Sequence, residues 1–505
     1  MKFSTLKFLI ISLLLASSVI WIMCSQKPEQ PEQVVLAKVG DRIITLDEFI
    51  KRAEYTIRPD YVKGDDYVTK KNILNSLIAE KLFALEAGTE NALYQNDDFK
   101  NYIQGRQEQA MRKWLFRKEG MEKVNLDTAK VKKAFRWAGR NYMVEYFSVP
   151  TKHMADSVKL WLDDPEYSMT DIFHKIGGQD TLPTHRVSWQ KEDSDNIINA
   201  LYFDSLKVGD IIGPVKVEDG FYTTMRVKDW DENIAITNEQ IKMRWHEVTD
   251  RIKRIEGQEI YRNFALDVMS GKRVEFERDT FFKLVDLVKP FYMISEEEKR
   301  QAFNTRYWQE GKPELTFEEV EGSFDDIKDK PILTIDGETW TVERLRNEIA
   351  LHPLVFRKRN FSDRTFPKQL KLAIVDLIRD KYLTKEAYKR GFDKVNFVEQ
   401  DKLMWQDQAM ALFHQKQYLR AAGCSTNFRK QPMKVIDDYL NDYVDSLQTK
   451  YSDQIKVNMD IFKKVELTHI DMFVVDKNVP YPIKVPKFPM LTTDNRLDYG
   501  QEMTH

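Results

Sequence analysis

The stretch NSLIAEKLFALEA, Asn75 to Ala87, has a relative later in the chain, DLIRDKYLTKEA, Asp376 to Ala387. Aligned without a gap, Leu77, Ile78, Lys81, Glu86 and Ala87 recur as Leu377, Ile378, Lys381, Glu386 and Ala387. Apolar residues fall at helical spacing in both, Leu74, Leu77, Ile78 and Leu85 beside Ile374, Leu377 and Ile378. Each copy therefore predicts an amphipathic helix with one buried stripe.

The flanks repeat too. Ala37-Lys-Val-Gly-Asp-Arg-Ile-Ile-Thr-Leu-Asp-Glu-Phe49 precedes the first copy and Leu333-Thr-Ile-Asp-Gly-Glu-Thr-Trp-Thr-Val-Glu-Arg-Leu345 the second, each a short hairpin followed by a helix start. Thr45 and Thr341 suit the N-cap, and Thr45 with Glu48 predicts a capping box. Further long helices run through Gln109-Ala110-Met111 and Gln408-Ala409-Met410, and Arg273-Val-Glu-Phe276 echoes Lys456-Val-Asn-Met459. One helical module occurs twice, with an extra piece set into the first copy.

At 505 residues and 42% apolar content the chain can fill roughly three domains of about 150 residues each. A net charge of -2, from 78 basic and 80 acidic residues, provides no pull toward nucleic acid, and the charged residues read as solvated helix faces. The eight histidines are scattered and no Cys or His pair has ligand spacing, so neither a metal nor another cofactor is expected. With two cysteines, Cys24 and Cys424, there is no disulfide framework.

Residues 1–24 read as a targeting segment: Lys2 and Lys7 give a basic start, Phe8 to Met23 an apolar run, and Cys24 follows. This resembles a bacterial lipoprotein signal with Cys24 as the lipidated N-terminus, although Met23 stands where a small residue is usual. Lipidation at Cys24, a retained short anchor and plain secretion all remain open, with lipidation expected first. All three place the body outside the cytoplasm, tethered to a membrane in the first two. The polar segment through Pro28 and Pro31 suits a tether over 25–35, and Ser25 after Cys24 points to an outer membrane if there are two.

The expected organisation is a helical module in 36–141, a compact α+β unit in 142–233, the back half of the first module in 234–290, and a connector over 291–330 capped by Ser295 and Glu298. A second helical module fills 331–470, and a Pro-rich extended tail 471–505. Within the α+β unit the period predicts strands at Tyr142–Val149 and Thr184–Trp189, helices at Thr151–Asp163 and Ser194–Phe203, and a hairpin from Ile211 to Val227 turning at Asp219-Gly220. Thr237 with Gln240 caps the helix after it.

Two stretches carry a family resemblance. Val39-Gly-Asp-Arg-Ile-Ile-Thr-Leu-Asp-Glu-Phe49 with the LIAEKLFALEAG after it is similar to the N-terminal module of SurA/PrsA/PpiD-type extracytoplasmic folding factors. Leu206-Lys-Val-Gly-Asp-Ile-Ile-Gly-Pro-Val215 with Asp219-Gly-Phe-Tyr222 and Met225-Arg-Val227 resembles the end of a parvulin-type (PpiC-type) prolyl isomerase domain. The resemblance implies an α+β chain: a mostly helical, duplicated chaperone module with a parvulin-like domain inserted in its first copy. It implies two histidines facing each other beneath a proline site, and here Tyr146 and Tyr222 occupy those positions, with Asp180 as the acidic counterpart. Ile197, Ile198 and Phe203 would wall the substrate pocket. The plainer reading of the two tyrosines is as core aromatics.

The expected function is a periplasmic or otherwise extracytoplasmic chaperone for unfolded or nascent exported proteins, its parvulin-like domain weak or inactive as an isomerase. An active prolyl isomerase is the alternative, because twisting and desolvating an imide needs at the least an apolar proline pocket and a nearby polar group, so loss of the histidines alone does not exclude it. A structural docking subunit of an envelope complex, using the duplicated module and the tail, is the third.

Overall fold

The computed structural model describes residues 33–190, 194–217, 220–293, 324–358, 362–467 and 472–503. The expected targeting segment with Cys24, most of the expected tether, the expected connector caps Ser295 and Glu298, and Asp219 of the hairpin turn lie outside the described residues. The fold is α+β, with long helices and three small sheets.

Eleven strands are found among the described residues: β1 (Val35–Val39), β2 (Arg42–Thr45), β3 (Arg140–Val149), β4 (Thr184–Ser188), β5 (Ile211–Lys216), β6 (Tyr222–Glu232), β7 (Val274–Phe276), β8 (Pro331–Ile335), β9 (Glu338–Thr341), β10 (Ile455–Val457) and β11 (Gln501–Glu502). The sheets are ordered β11-β10-β1-β2, β4-β3-β6-β5 and β7-β8-β9. The chain divides into two compact units, one of Phe116–Asp267 and one holding the residues on either side of it.

Among the described residues, the flanking unit contains two large cores and a smaller cluster of Ile103, Met404, Trp405 and Val485. One gathers β1, β2, the helices Leu46–Glu54 and Tyr67–Ala87, and the helix Asn441–Lys450 with β10 around Leu36, Phe49, Leu77, Leu82, Leu440 and Phe462. The other gathers the helix Arg278–Tyr292, β8, β9 and the helices Val342–Leu351 and Phe366–Lys389 around Val285, Ile332, Trp340, Phe366 and Ile374. Each hairpin takes its third strand from the stretch that the sequence repeat assigns to the other hairpin. β1 pairs with β10 (Ala37 opposite Val457), and β8 pairs with β7 (Val274 opposite Ile335). The inner hairpin closes on the strand just before it in sequence, so the strand left for the outer hairpin comes from near the other end of the chain.

Thr45 accepts from the Glu48 amide at 3.0 Å and Thr341 from the Arg344 amide at 3.2 Å, as N-caps do. The Glu48 carboxylate does not complete a capping box; it pairs with Lys81 at 3.0 Å instead. The box at Thr237 is complete: Gln240 N donates to Thr237 Oγ1 at 3.1 Å, and Thr237 N to Gln240 Oε1 at 3.2 Å.

The helix Tyr67–Ala87 differs from its expected single stripe. Every residue from Asn72 to Ala84 is buried, because the sheet, the helix Asn396–Ala421 and the helix Asn441–Lys450 surround it. Its buried charged residues, Glu80 and Lys81, are paired inside the protein. Arg52 Nη1 and Nη2 hold the two Glu80 carboxylate oxygens at 2.8 Å each, Lys81 reaches Asp407 at 3.2 Å, and Arg42 Nε reaches Asp407 at 2.8 Å. Three cations meet three carboxylates, counting Glu48. Burial pushes the Glu48 carboxyl up against the pull of Lys81 and Arg52. Burial also opposes charge on Lys81, but Glu48, Asp407 and Glu80 together hold its ammonium above the ordinary lysine range. In the second copy, Lys381 pairs with Glu348 on the preceding helix.

The C-terminal residues are extended but not a free tail. Tyr481, Val485, Phe488, Leu491 and Thr492 are buried, and β11 pairs in parallel with β10. The segment is extended, as its composition predicts, and its buried side chains hold it against the flanking unit.

Buried phenols make the fold sensitive to alkali. Burial raises the Tyr61 hydroxyl far above its ordinary value of 10.0, and burial with the Glu86 charge nearby pushes Tyr443 up to about 12. Unfolded tyrosines ionise near pH 10 while these stay protonated in the fold. Their contribution is complete below pH 10 and is lost as pH rises through the folded values. The melting temperature is expected to be flat from about pH 8 to 9.5 and to fall above about 10. Tyr61→Phe with Tyr443→Phe should shallow that fall; an unchanged slope would mean that neither phenol contributes.

Candidate functional site

The sheet β4-β3-β6-β5 of the Phe116–Asp267 unit carries the residues singled out by resemblance. Strand, helix, strand, helix and hairpin follow in the order read from the sequence, with one further helix, Met169–Lys175, before the second strand that the sequence reading did not place. The compact unit is larger than 142–233. Val131 and Ala134 of the helix Thr128–Trp137, and Val248 and Ile252 of the helix Asn238–Met269, are buried in the same core as Tyr142 and Val144. Those apolar faces place both helices with this sheet.

Alternation along β3 sends Tyr142, Val144, Tyr146 and Ser148 to one face and Phe147 and Val149 to the other. Register then decides which β6 residues join them. Tyr146 stands opposite Met225, Ser148 opposite Thr223, and Val149 opposite Tyr222. Tyr222 thus lies on the reverse face, against the core of Phe147, Val149 and Ile172, whereas Tyr146 packs against the core of Tyr142, Val144 and Ile198. The two tyrosines do not face each other. The residue diagonal to Tyr146 on its own face is Thr223, whose Oγ1 lies 2.9 Å from Ser148 Oγ.

The imidazole of His185 belongs to the same face. His185 stands opposite Val144 in the β3–β4 ladder, and its ring centroid is 6.2 Å from that of Tyr146. Tyr146, Ser148, His185 and Thr223 therefore form a polar ledge at one end of the sheet, with ring nitrogens and hydroxyls able to hydrogen-bond a carbonyl. Asp180 is exposed in the loop before β4.

The three expected pocket residues pack on one core, with Ile198 inside it and Ile197 and Phe203 at its margin. Ile198 is fully buried beneath the sheet, and Ile197 is half-buried at the margin of the same core. The Phe203 ring is tilted against that of Trp189, 6.2 Å between centroids, and lies under Lys130 Nζ, 5.2 Å from the ring centroid. It lines a separate shallow recess with Asp127, Lys133 and Asn199. Ser148, His185 and Thr223 were not singled out by sequence. Period-two alternation from Tyr146 reaches Ser148, but placing Thr223 and His185 requires the register of neighbouring strands.

The same unit exposes large apolar side chains. Ile234, Ile236 and Met243 are 66%, 81% and 63% exposed, and Trp245 is 36% exposed. They lie on the segment leaving β6 and on the first turns of the helix Asn238–Met269. Among the described residues no group of His, Cys, Asp and Glu is gathered as metal ligands, and no helix is long and apolar enough to cross a membrane.

No protein-family model matches the chain, and no curated protein matches it. Among solved structures, the chain is similar to the foldase protein PrsA from Streptococcus pneumoniae at 14% identity, over 44% of this chain and 87% of that one, with a TM-score of 0.19.

Proposed function

We propose that the chain is an extracytoplasmic folding chaperone that holds unfolded exported proteins through exposed apolar side chains, its duplicated helical module flanking in sequence a parvulin-like domain with little or no isomerase activity. The observation that carries this reading is the run of exposed Ile234, Ile236, Met243 and Trp245. Large apolar side chains left exposed offer contacts to apolar partners, and Met with a flat aromatic adapts to varied ones. Duplication is supported by the recurring cap threonine and by Lys81 and Lys381, each paired with an acid on the preceding helix. Location outside the cytoplasm, and attachment through Cys24 or the apolar run before it, are part of the same proposal.

A weak isomerase role is favoured on the polar ledge, where His185 stands beside Tyr146. The ledge is half open, so it desolvates an imide poorly, and the fully buried Ile198 cannot wall a proline ring.

Ile236→Glu with Met243→Glu tests the main reading, since exposed positions tolerate substitution within about 0.5 kcal/mol of stability. The full chain is expected to suppress aggregation of an unfolded client at near-equal concentration. The double variant should need about fivefold more protein, the equivalent of roughly 1 kcal/mol. Unchanged suppression would remove this surface from the mechanism. Acceleration of proline-limited refolding that is lost in His185→Ala would put the isomerase first. Neither activity would leave the docking-subunit reading ahead.

A further inference from the structure

Five buried side chains of the flanking unit reach out to the main chain of the C-terminal segment. Gln109 donates to the Tyr481 carbonyl at 2.8 Å and accepts from the Tyr481 amide at 2.9 Å. Arg106 Nη1 donates to the Ile483 carbonyl at 2.8 Å, Arg52 Nη2 to the Lys487 carbonyl at 2.8 Å, and Asn75 Nδ2 to the Asp494 carbonyl at 2.7 Å. Gln415 Nε2 stands 3.5 Å from the Met490 carbonyl. None of the five is more than 5% exposed. Between these bonds, Tyr481, Val485, Phe488 and Leu491 turn inward as apolar anchors.

This is how a groove holds an extended peptide: main-chain bonds supply affinity and spaced side chains supply anchors. The chemistry of the bonds narrows the occupant. Nearly all of them run from groove donors to segment carbonyls. A proline has lost its amide N–H but keeps its carbonyl, so a donor-lined groove suits a proline-containing chain. The segment in the groove carries Pro482, Pro486 and Pro489.

We propose that this groove is a binding site for extended, proline-containing peptide segments, occupied in cis by residues 481–494, so that the C-terminal segment is a strap with which client segments compete. The proposal rests on the chaperone reading and supplies it with a second site, far in sequence from the Ile234–Trp245 surface.

The test uses the full chain with a protease site inserted after Asn478, an exposed residue at positive φ. After folding, the chain is cut there, leaving the strap held only by the groove. The probe is a fluorescent peptide of the sequence Tyr481–Arg496, read by anisotropy, beside a second peptide with the same prolines and the other side chains shuffled. The uncut chain is expected to bind neither peptide, and the cut chain both, within about tenfold of each other. Gln109→Ala in the cut chain should weaken both by about five- to tenfold, the loss of a main-chain hydrogen-bonding pair.

The proposal is overturned if the cut chain loses its native circular dichroism, if it fails to exchange its strap for the probe, or if it prefers the native side chains by more than about a hundredfold. Each of these makes the strap a core segment. Aggregation suppression by the uncut chain is measured alongside. Suppression without peptide exchange removes the groove proposal alone, and exchange without any suppression removes the chaperone reading alone.

Discussion

Glu80→Ala is expected to lower the unfolding free energy by about 3–5 kcal/mol, because it leaves the Arg52 guanidinium buried without its carboxylate. Arg52 is 0% and Glu80 1% exposed, and both oxygens of the pair are engaged at 2.8 Å. Neither water nor a nearby spare acid can take over, since Glu48 and Asp407 already pair with Lys81. The size of the loss measures the stranded charge and not the net worth of the pair. Arg52→Met with Glu80→Leu, which removes both charges and keeps the volume, should therefore recover most of it. Urea unfolding of the two single and the double variants forms a cycle that separates the terms. A loss below about 1 kcal/mol for Glu80→Ala would show that Arg52 finds solvent when its partner is gone.

Gly105→Ala is the second large expected effect, and its sign runs against local preference. In an unhindered helix the change would stabilise by about 1 kcal/mol. Here a Cβ would overlap the Leu351 carbonyl oxygen and Tyr481 Oη. Tyr481 Oη itself donates to that carbonyl at 2.6 Å. The obstacle is backbone and a buried ring, so the helix Asp97–Glu119 must move away, at a net cost of about 1–3 kcal/mol. Nearby, His352 Nε2 lies 2.6 Å from Glu108 Oε2. Burial lowers the His352 imidazole below its ordinary value. Burial works to raise the Glu108 carboxyl, but the hydrogen bonds from His352 and Gln104 hold it down. Both directions describe a neutral imidazole donating to a carboxylate. Their stability is present above the ordinary histidine range and is lost as pH falls, so Gly105→Ala, by opening this joint, should also flatten the acid limb of the stability profile. Unchanged thermal stability in Gly105→Ala would mean that the two helices approach less closely.

How much of this could be read in advance depends on how local each feature is. The hairpin turning at Gly40, the cap at Thr45 and its echo at Thr341 were all legible, because turn and cap chemistry acts within about four residues. The order of elements in the β3–β6 sheet was legible for the same reason: period two and period 3.6 are short-range signals. Face assignment between strands was not. Tyr146 and Tyr222 both alternate correctly within their own strands, but a ladder shifted by one residue exchanges faces, and the irregularity between Met143 and Val144 is invisible in composition. His185 and Thr223 joined Tyr146 only once that register was known.

The sequence alone determined that a hairpin and two helices occur twice, that a small α+β unit lies between them, and that the chain has no compositional bias toward nucleic acid. Only the tertiary structure decided that β10 closes the first hairpin and β7 the second, that the helix Tyr67–Ala87 is buried on every side, and that the proline-bearing C-terminus is inside. Val274–Phe276 and Ile455–Val457 are equally short and equally strand-like, so local preference cannot assign either to a hairpin. That choice belongs to loop closure across tens to hundreds of residues and to the apolar area each pairing buries.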